Sequence, residues 1–482
     1  MFGILGIAVA LVLLIYLAYR GISVLILAPA MALLAALLDG APLLGGYTQV
    51  FMGATGRFVI LYFPLFLLGA IFGKLMDDSG SARAIAGWTV NRFGNERSLL
   101  AVVLSCAVLT YGGVSLFVVA FAIYPIAAAL FRENAIPKRL IPGAVALGAF
   151  TFTMTALPGT PAIQNAIPMP FFGTTPFAAP GLGIVSALIM LGLGVFWLNR
   201  RMRTAAAAGE GYGDHEDRLP KADRALRERA EGEGFDIAEL NEKAEPAGEP
   251  SFFIALLPIV AVIGLNYLFS MVVIPSMDAA YLARPEYGET DIGAVKGIWS
   301  IISALVFSIL LLIVLNRKRF GNLIESLDAG ANASVLPIFN TASLVGFGAV
   351  VASLPAFAVV RGAVLGIGGD NPLVSLALSV NILAGITGSA SGGMSIALQT
   401  LGAEYMEMAS AAGVSPDLLH RTTAVATGGL DSLPHNGAVI TLLSICGLTH
   451  RESYADIFVV AVLSPVVALV TLIVLGSLFG SF

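Results

Sequence analysis

Apolar runs of about 17 to 28 residues recur along the whole chain, separated by short polar breaks. A helix needs about 20 apolar residues to cross the hydrocarbon core of a bilayer. In the first half the runs predict crossings at 3–19, 22–38, 57–75, 141–168 and 172–199. In the second half they predict 252–274, 297–315, 333–354, 420–446 and 454–478. Two stretches, 98–131 and 372–411, are too long for one simple crossing. They are interrupted by Thr110-Tyr111-Gly112-Gly113 and by Thr387-Gly388-Ser389-Ala390-Ser391-Gly392-Gly393. Each reads as a re-entrant hairpin that enters and leaves on one side. The expected fold is an all-α polytopic membrane protein.

The two halves, 1–200 and 251–482, follow one plan. Each has two helices, a helix with an early proline, a hairpin, a broken helix and a last full helix. The prolines Pro64 and Pro337 are 273 apart, and the hairpin breaks at Thr110 and Thr387 are 277 apart. The motifs Leu157-Pro158-Gly159-Thr160 and Leu433-Pro434-His435-Asn436 are 276 apart. Five crossings per half is an odd number, so the second half is expected to be inverted. Inverted repeats with discontinuous helices are an architecture of secondary transporters, with the site near the midplane.

Composition excludes several classes. Of 482 residues, 57% are hydrophobic and 12% charged, against about 25% charged in soluble domains. Lys+Arg number 26 against 31 Asp+Glu, so there is no basic excess for nucleic acid. The segment 201–250 holds 21 of the 57 charged side chains and reads as a flexible cytoplasmic linker, with one short helix at Ala222–Ala230. Cys106 and Cys446 lie in apolar stretches and form no disulfide or metal pattern. Nothing in the motifs requires a cofactor. The first residues lack a basic n-region, so Ile4–Tyr19 is expected to be a retained helix. With the linker in the cytoplasm, 15 Lys and Arg fall at cytoplasmic span ends. Five (Arg57, Arg284, Lys296, Arg361 and Arg421) fall at outer ends. The positive-inside rule then puts both termini outside. Trp197 and Trp299 sit near span ends, as interfacial anchors do.

Chemistry is expected at the breaks. A helix interrupted in lipid frees N–H and C=O groups, tolerated only where protein or a wet cavity satisfies them, and half-helix N-termini favour anions. Four breaks, at 110–115, 155–165, 387–395 and 428–437, gather most polar residues of the apolar halves. They predict a small, roughly symmetric cavity lined by Thr110, Tyr111, Ser115, Thr160, Gln164, Asn165, Thr387, Ser389, Ser391 and Asn436. No Arg or Lys lies in any of the four. A substrate carboxylate would then be held by backbone N–H groups and hydroxyls. Hydroxyl- and amide-rich walls suit a hydroxylated small organic anion.

Asp431 and His435 are the ionisable residues of the breaks. Placed four apart, they would face one way on a helical turn, and either could carry a coupled proton. Their structural alternative is a helix cap for Asp431 and a carbonyl hydrogen bond for His435. Asn381, one turn before the second hairpin break, reads as a brace. Lys74, Asp77 and Asp78 read as a solvated span end, and His215, His420 and His450 as uninvolved in metal binding. No P-loop or HExxH motif is present, and Gly388–Gly392 lacks the central Ser of a lipase elbow.

The runs LPGTPAIQNAIPMPFFGTTPFAAPG (157–181), GITGSASGGMSIAL (385–398) and GGLDSLPHNGAVITLL (428–443) resemble the gluconate permease family. The wording PGTP and PHNG is nearer its D-3-hydroxybutyrate permease branch. The resemblance spans essentially the whole chain. It implies a bacterial inner-membrane proton symporter for a small hydroxy-monocarboxylate. Through the ion transporter superfamily it also implies a homodimer and an elevator movement. Sodium coupling at Ser389, Ser391 and Asn381 is the alternative; a channel would need a continuous pore and a filter-like repeat. The long insert departs from the family pattern. An enzyme is not expected, because no nucleophile–base pair or metal set is found.

Overall fold

A computed structural model describes residues 2–20, 22–215, 248–367, 369 and 371–482. Every regular element among them is helical. Six segments are long and apolar enough to cross a membrane, as a multi-pass protein requires.

The first half runs α1 (Phe2–Tyr19), α2 (Val24–Asp39) and α3 (Leu43–Asp78). The first hairpin follows as α4 (Ser81–Tyr111) and α5 (Leu116–Glu133). An interrupted helix breaks into α6 (Ile141–Ala149), α7 (Phe152–Thr155), α8 (Ile163–Ala166) and α9 (Pro168–Phe172), and α10 (Pro180–Ala207) closes the half. The second half runs α11 (Phe252–Ser276), α12 (Ile292–Asn316), α13 (Leu323–Ala333), α14 (Val335–Ser353) and α15 (Phe357–Leu365). Its hairpin is α16 (Pro372–Thr387) and α17 (Ala390–Ala412). Its interrupted helix is α18 (Pro416–Thr427) and α19 (Gly437–Cys446), and α20 (His450–Phe479) ends the chain.

The second hairpin turns in two residues because its sequence carries both halves of a cap pair. Gly388 ends α16 at φ +62°, a left-handed conformation natural to glycine. Ser389 starts α17, its hydroxyl accepting from the Gly392 N–H at 3.1 Å. At the first hairpin Gly113 takes φ +91°, and a Cβ there would stand 2.8 Å from Pro161 Cγ. The tip therefore rests directly on the broken segment of its own half.

The helices of both halves share one buried core, from Ala54 in α3 to Leu472 in α20. A second cluster seats α2 on α14, with α1 packed on α2, and gathers Ala28, Ala32, Ala35 and Ala36 of α2 with Phe347 and Val350 of α14. Small side chains let membrane helices approach closely.

Several charges sit elsewhere than expected. Arg57 lies inside α3, which starts well before residue 57. Lys74 is buried and paired with Asp78 at 3.1 Å rather than solvated. Arg421 is fully buried instead of at an outer span end. Half-buried Trp197 donates to the buried carboxylate of Asp456 at 3.0 Å, which ties α10 to α20.

The first part of the expected linker is also structured. Helix α10 runs on through Ala207, and residues 209–215 lie against 132–139. Arg139 grips Glu210 with two bonds of 2.7 and 2.9 Å. The Lys138 N–H donates to the Tyr212 carbonyl, and the Arg132 guanidinium lies 4.8 Å over the Tyr212 ring. Arg139 and Arg201 both reach Asp456, at 3.3 and 2.8 Å. The helix expected at Ala222–Ala230 lies outside the described residues.

Candidate functional site

Prolines 158 and 161 forbid a regular helix between α7 and α8, and the freed carbonyls find donors from distant elements. Tyr111 Oη donates to the Pro158 carbonyl at 2.7 Å. Asn266 Nδ2, fully buried in α11, donates to that of Gly159 at 3.0 Å. Asn165 Nδ2 donates to the carbonyls of Thr160 and Pro176, both at 3.0 Å. The second break is satisfied the same way. Asn381 Oδ1 accepts from the Leu430 N–H at 3.0 Å, so Asn381 ties the second hairpin to the broken segment. Tyr454 Oη donates to Ser432, and His450 Nε2 contacts the Pro434 carbonyl.

Each hairpin is thus stapled to the broken segment of its own half. Tyr111 reaches Pro158 in the first half. In the second, His435 Nε2 meets the Gly385 carbonyl at 2.9 Å and Asn436 Nδ2 that of Gly388 at 3.0 Å. The Tyr111–Pro158 staple corresponds to Gly388–Asn436 at offsets of 277 and 278.

A cavity with about 90 Å³ of internal space opens where the first hairpin tip meets the first broken segment, several times what one water needs. Thr110, Val114 and Ser115 come from the hairpin, Pro161, Ile163 and Gln164 from the break. Leu65 and Phe66 of α3, Leu305 of α12 and Pro337 of α14 add apolar wall, and Ser391 reaches it from the second hairpin. Thr110 Oγ1, Ser115 Oγ and Gln164 Oε1 are buried here with no hydrogen-bond partner. An unpaired buried polar atom costs free energy, and three on the residues of one cavity wall are the polar groups there that the protein itself leaves unsatisfied. Ser115 also begins α5, an 18-residue helix, so that helix N-terminus faces the same space.

Of the ten residues expected around one symmetric cavity, Thr110, Ser115, Gln164 and Ser391 line it. The other six do not. Tyr111, Thr160 and Asn165 brace the first break from behind. Thr387 and Ser389 cap the second hairpin, with the Thr387 hydroxyl bonded to the Leu383 carbonyl at 2.8 Å. Asn436 caps α19 through the Val439 N–H. Asp431 and His435 lie at the second hairpin's contact with its broken segment. They share no helical face, because a single 3₁₀ turn ends at Ser432 and Leu433 is extended. Asp431 is buried; its Oδ1 accepts from the Ser432 hydroxyl at 3.2 Å, and among the described residues it forms no ion pair.

Sequence reasoning missed a buried group behind the cavity wall. His420 and Arg421 of α18 are fully buried and converge on Asn165. Both Asn165 N–H groups go to carbonyls, so its Oδ1 is the acceptor for His420 Nε2 at 3.1 Å and Arg421 Nη1 at 3.1 Å. His420 Nδ1 meets the Thr174 hydroxyl at 2.6 Å. The available signal was a His-Arg pair one turn inside an apolar helix start. Among the described residues no group of three His, Cys, Asp or Glu could hold a metal.

No family model matches the chain. It is 44% identical over 481 residues to the uncharacterized transporter YxjC of Bacillus subtilis (strain 168), covering 98% of each sequence. Among solved structures it resembles the Alcanivorax borkumensis YdaH transporter, with TM-score 0.55, 16% identity, and 91% of this chain on 88% of that one. It also resembles Neisseria gonorrhoeae MtrF, of a class of antimetabolite efflux pumps, with TM-score 0.50, 13% identity, and 89% on 83%. At those identities the two structures speak to fold alone.

Proposed function

We propose that this chain, which belongs to the transporter family of YxjC, is a proton-coupled symporter for a small hydroxy-monocarboxylate of the gluconate or D-3-hydroxybutyrate type. The observation that carries the reading is a cavity at a hairpin tip lined by Thr110, Ser115 and Gln164, each with a buried side-chain oxygen that no described protein group satisfies. A hydroxylated anion supplies what they lack: carboxylate oxygens for the hydroxyls and the α5 N-terminus, and a hydroxyl for Gln164. The apolar wall of Leu65, Phe66 and Leu305 suits a short carbon chain.

Asp431 is the proposed proton carrier. It is a buried carboxyl with no ion-pair partner among the described residues, on the element stapled to the second hairpin. His435, bonded to the Gly385 carbonyl, couples its state to that hairpin. Sodium coupling is the competing reading, favoured by the hydroxyls of Ser391, Ser389 and Thr341 within 3.4–3.5 Å of one another along the chain of contacts.

The reading includes an inverted repeat, a bacterial inner-membrane location, two copies pairing in the membrane, and both termini outside. A cysteine at Ala207 should then react only from the cytoplasmic side, and labelling from outside would overturn the orientation. The site is tested by melting the detergent-solubilised protein with D-3-hydroxybutyrate, gluconate or uncharged 1,3-butanediol. Stabilisation by a carboxylate and not by the diol is expected. Stabilisation by none, or by all equally, would overturn it.

A further inference from the structure

Arg421 is among the largest fully buried side chains of the protein. Its guanidinium makes five hydrogen bonds, and every acceptor is neutral. Nε donates to the Ala178 carbonyl at 3.0 Å, and Nη2 to the carbonyls of Ala178 at 2.8 Å and Pro176 at 3.3 Å. Nη1 donates to the Thr155 carbonyl at 3.3 Å and to Asn165 Oδ1 at 3.1 Å. A guanidinium has five N–H donors, so its hydrogen bonding is complete while its charge is not balanced. No ion pair within 4 Å among the described residues includes it; Asp417, four residues earlier on α18, is exposed and outside that range. A buried arginine is ordinarily matched to a carboxylate, because an uncompensated buried charge is costly.

The charge is also aimed. Thr155, Asn165, Pro176 and Ala178 all belong to the broken segment and its return to α10, and Asn165 adjoins Gln164 on the cavity wall. Helix α18 belongs to the other half, so one cation clamps the broken segment of the first half from the second.

We propose that Arg421 is a specificity-determining positioning residue: a fixed cation behind the wall that makes the cavity select anions, and holds Gln164 in place through Asn165, without touching the substrate. This rests on the reading that the cavity binds a small carboxylate. Water is excluded around Arg421, so its field reaches the cavity weakly screened. At an effective dielectric near 20, a unit charge about 10 Å from an anion favours it on the order of tenfold over a neutral isostere.

The test is competition for uptake between D-3-hydroxybutyrate and its neutral amide, 3-hydroxybutyramide, in proteoliposomes. The wild type should prefer the carboxylate. Arg421→Gln should cut that preference about tenfold, and Arg421→Lys, which keeps the charge, should largely restore it. Asn165→Asp sets a carboxylate beside the arginine at the cost of the two N–H donations to the Thr160 and Pro176 carbonyls; scored as the carboxylate-to-amide ratio in protein that still takes up the amide, it should cut the preference as well, so the proposal stays testable if Arg421→Gln does not fold. Unchanged carboxylate-to-amide preference in Asn165→Asp or Arg421→Gln, with wild type still preferring the carboxylate, would overturn the inference and leave the function standing. A wild type with no preference for either compound would overturn the functional reading itself.

Discussion

Thr110→Val, Ser115→Ala and Gln164→Leu should lower transport without lowering stability. Each removes a buried polar atom that has no hydrogen-bond partner among the described protein groups, while nearly keeping side-chain volume in the first and third cases. An unsatisfied buried donor or acceptor costs about 1–3 kcal/mol. Its removal therefore leaves the empty protein as stable as before or stabilises it by up to that amount. In the bound state the same atom pairs with substrate, and losing that bond costs about 1–3 kcal/mol, a roughly 5- to 150-fold loss of apparent affinity. The assay pairs a thermal melt in detergent with initial uptake rates over a substrate series. A raised or unchanged melting temperature with a raised KM is expected in each variant. Parallel loss of melting temperature and uptake would show that these atoms serve folding. Unchanged KM in all three would remove the cavity from the transport path.

Asp431→Asn should abolish accumulation driven by a pH gradient while leaving exchange of labelled for unlabelled substrate; accumulation at the wild-type level would exclude Asp431 as the carrier. The Arg139 hydrogen bond, opposed by partial desolvation and aided by the arginine's charge, holds the Glu210 carboxyl below its usual range. Its folded-state pKa is depressed, so its contribution to docking of 209–215 is full above the unfolded-state value and is lost as pH falls through the lowered one. A spin label attached at neutral pH to a cysteine at the exposed Gly211 should then become more mobile on acidification, and at neutral pH in Arg139→Gln; both native cysteines are buried and give a low background. Label mobility independent of both pH and Arg139 would contradict this. Deletion of 217–247 should leave uptake intact, whereas a deletion starting at 205 should impair it by removing the Glu210 and Tyr212 contacts. Equal activity of the two deletions would show that those contacts are dispensable.

The hairpins and broken helices were legible because their signals are local. Pro158 and Pro161 break a helix wherever they stand, and Gly388 followed by Ser389 ends one helix and starts the next. Thr110, Ser115, Gln164 and Ser391 could be picked out as polar residues inside those breaks. Which break faces the cavity was not legible. Asp431, His435 and Asn436 have the same chemistry as the lining residues, yet the second break turns toward its own hairpin through the carbonyls of Gly385 and Gly388. Arg421 was the larger omission. A charge one turn into an apolar run reads as a span end, and the carbonyls that receive it are 243 to 266 positions away. Asn266 was hidden likewise, a single amide in an apolar helix whose partner, Gly159, is 107 positions off.

The central claim is that a small hydroxy-carboxylate moves through this protein with protons. Uptake of labelled D-3-hydroxybutyrate and gluconate into proteoliposomes, under an inward pH gradient and separately under a sodium gradient, tests it most directly. Accumulation above equilibrium of at least one of them under the pH gradient alone is the predicted result. Accumulation under sodium alone would transfer coupling to the hydroxyl cluster at Ser389 and Ser391, and equilibration without accumulation under either gradient would contradict symport.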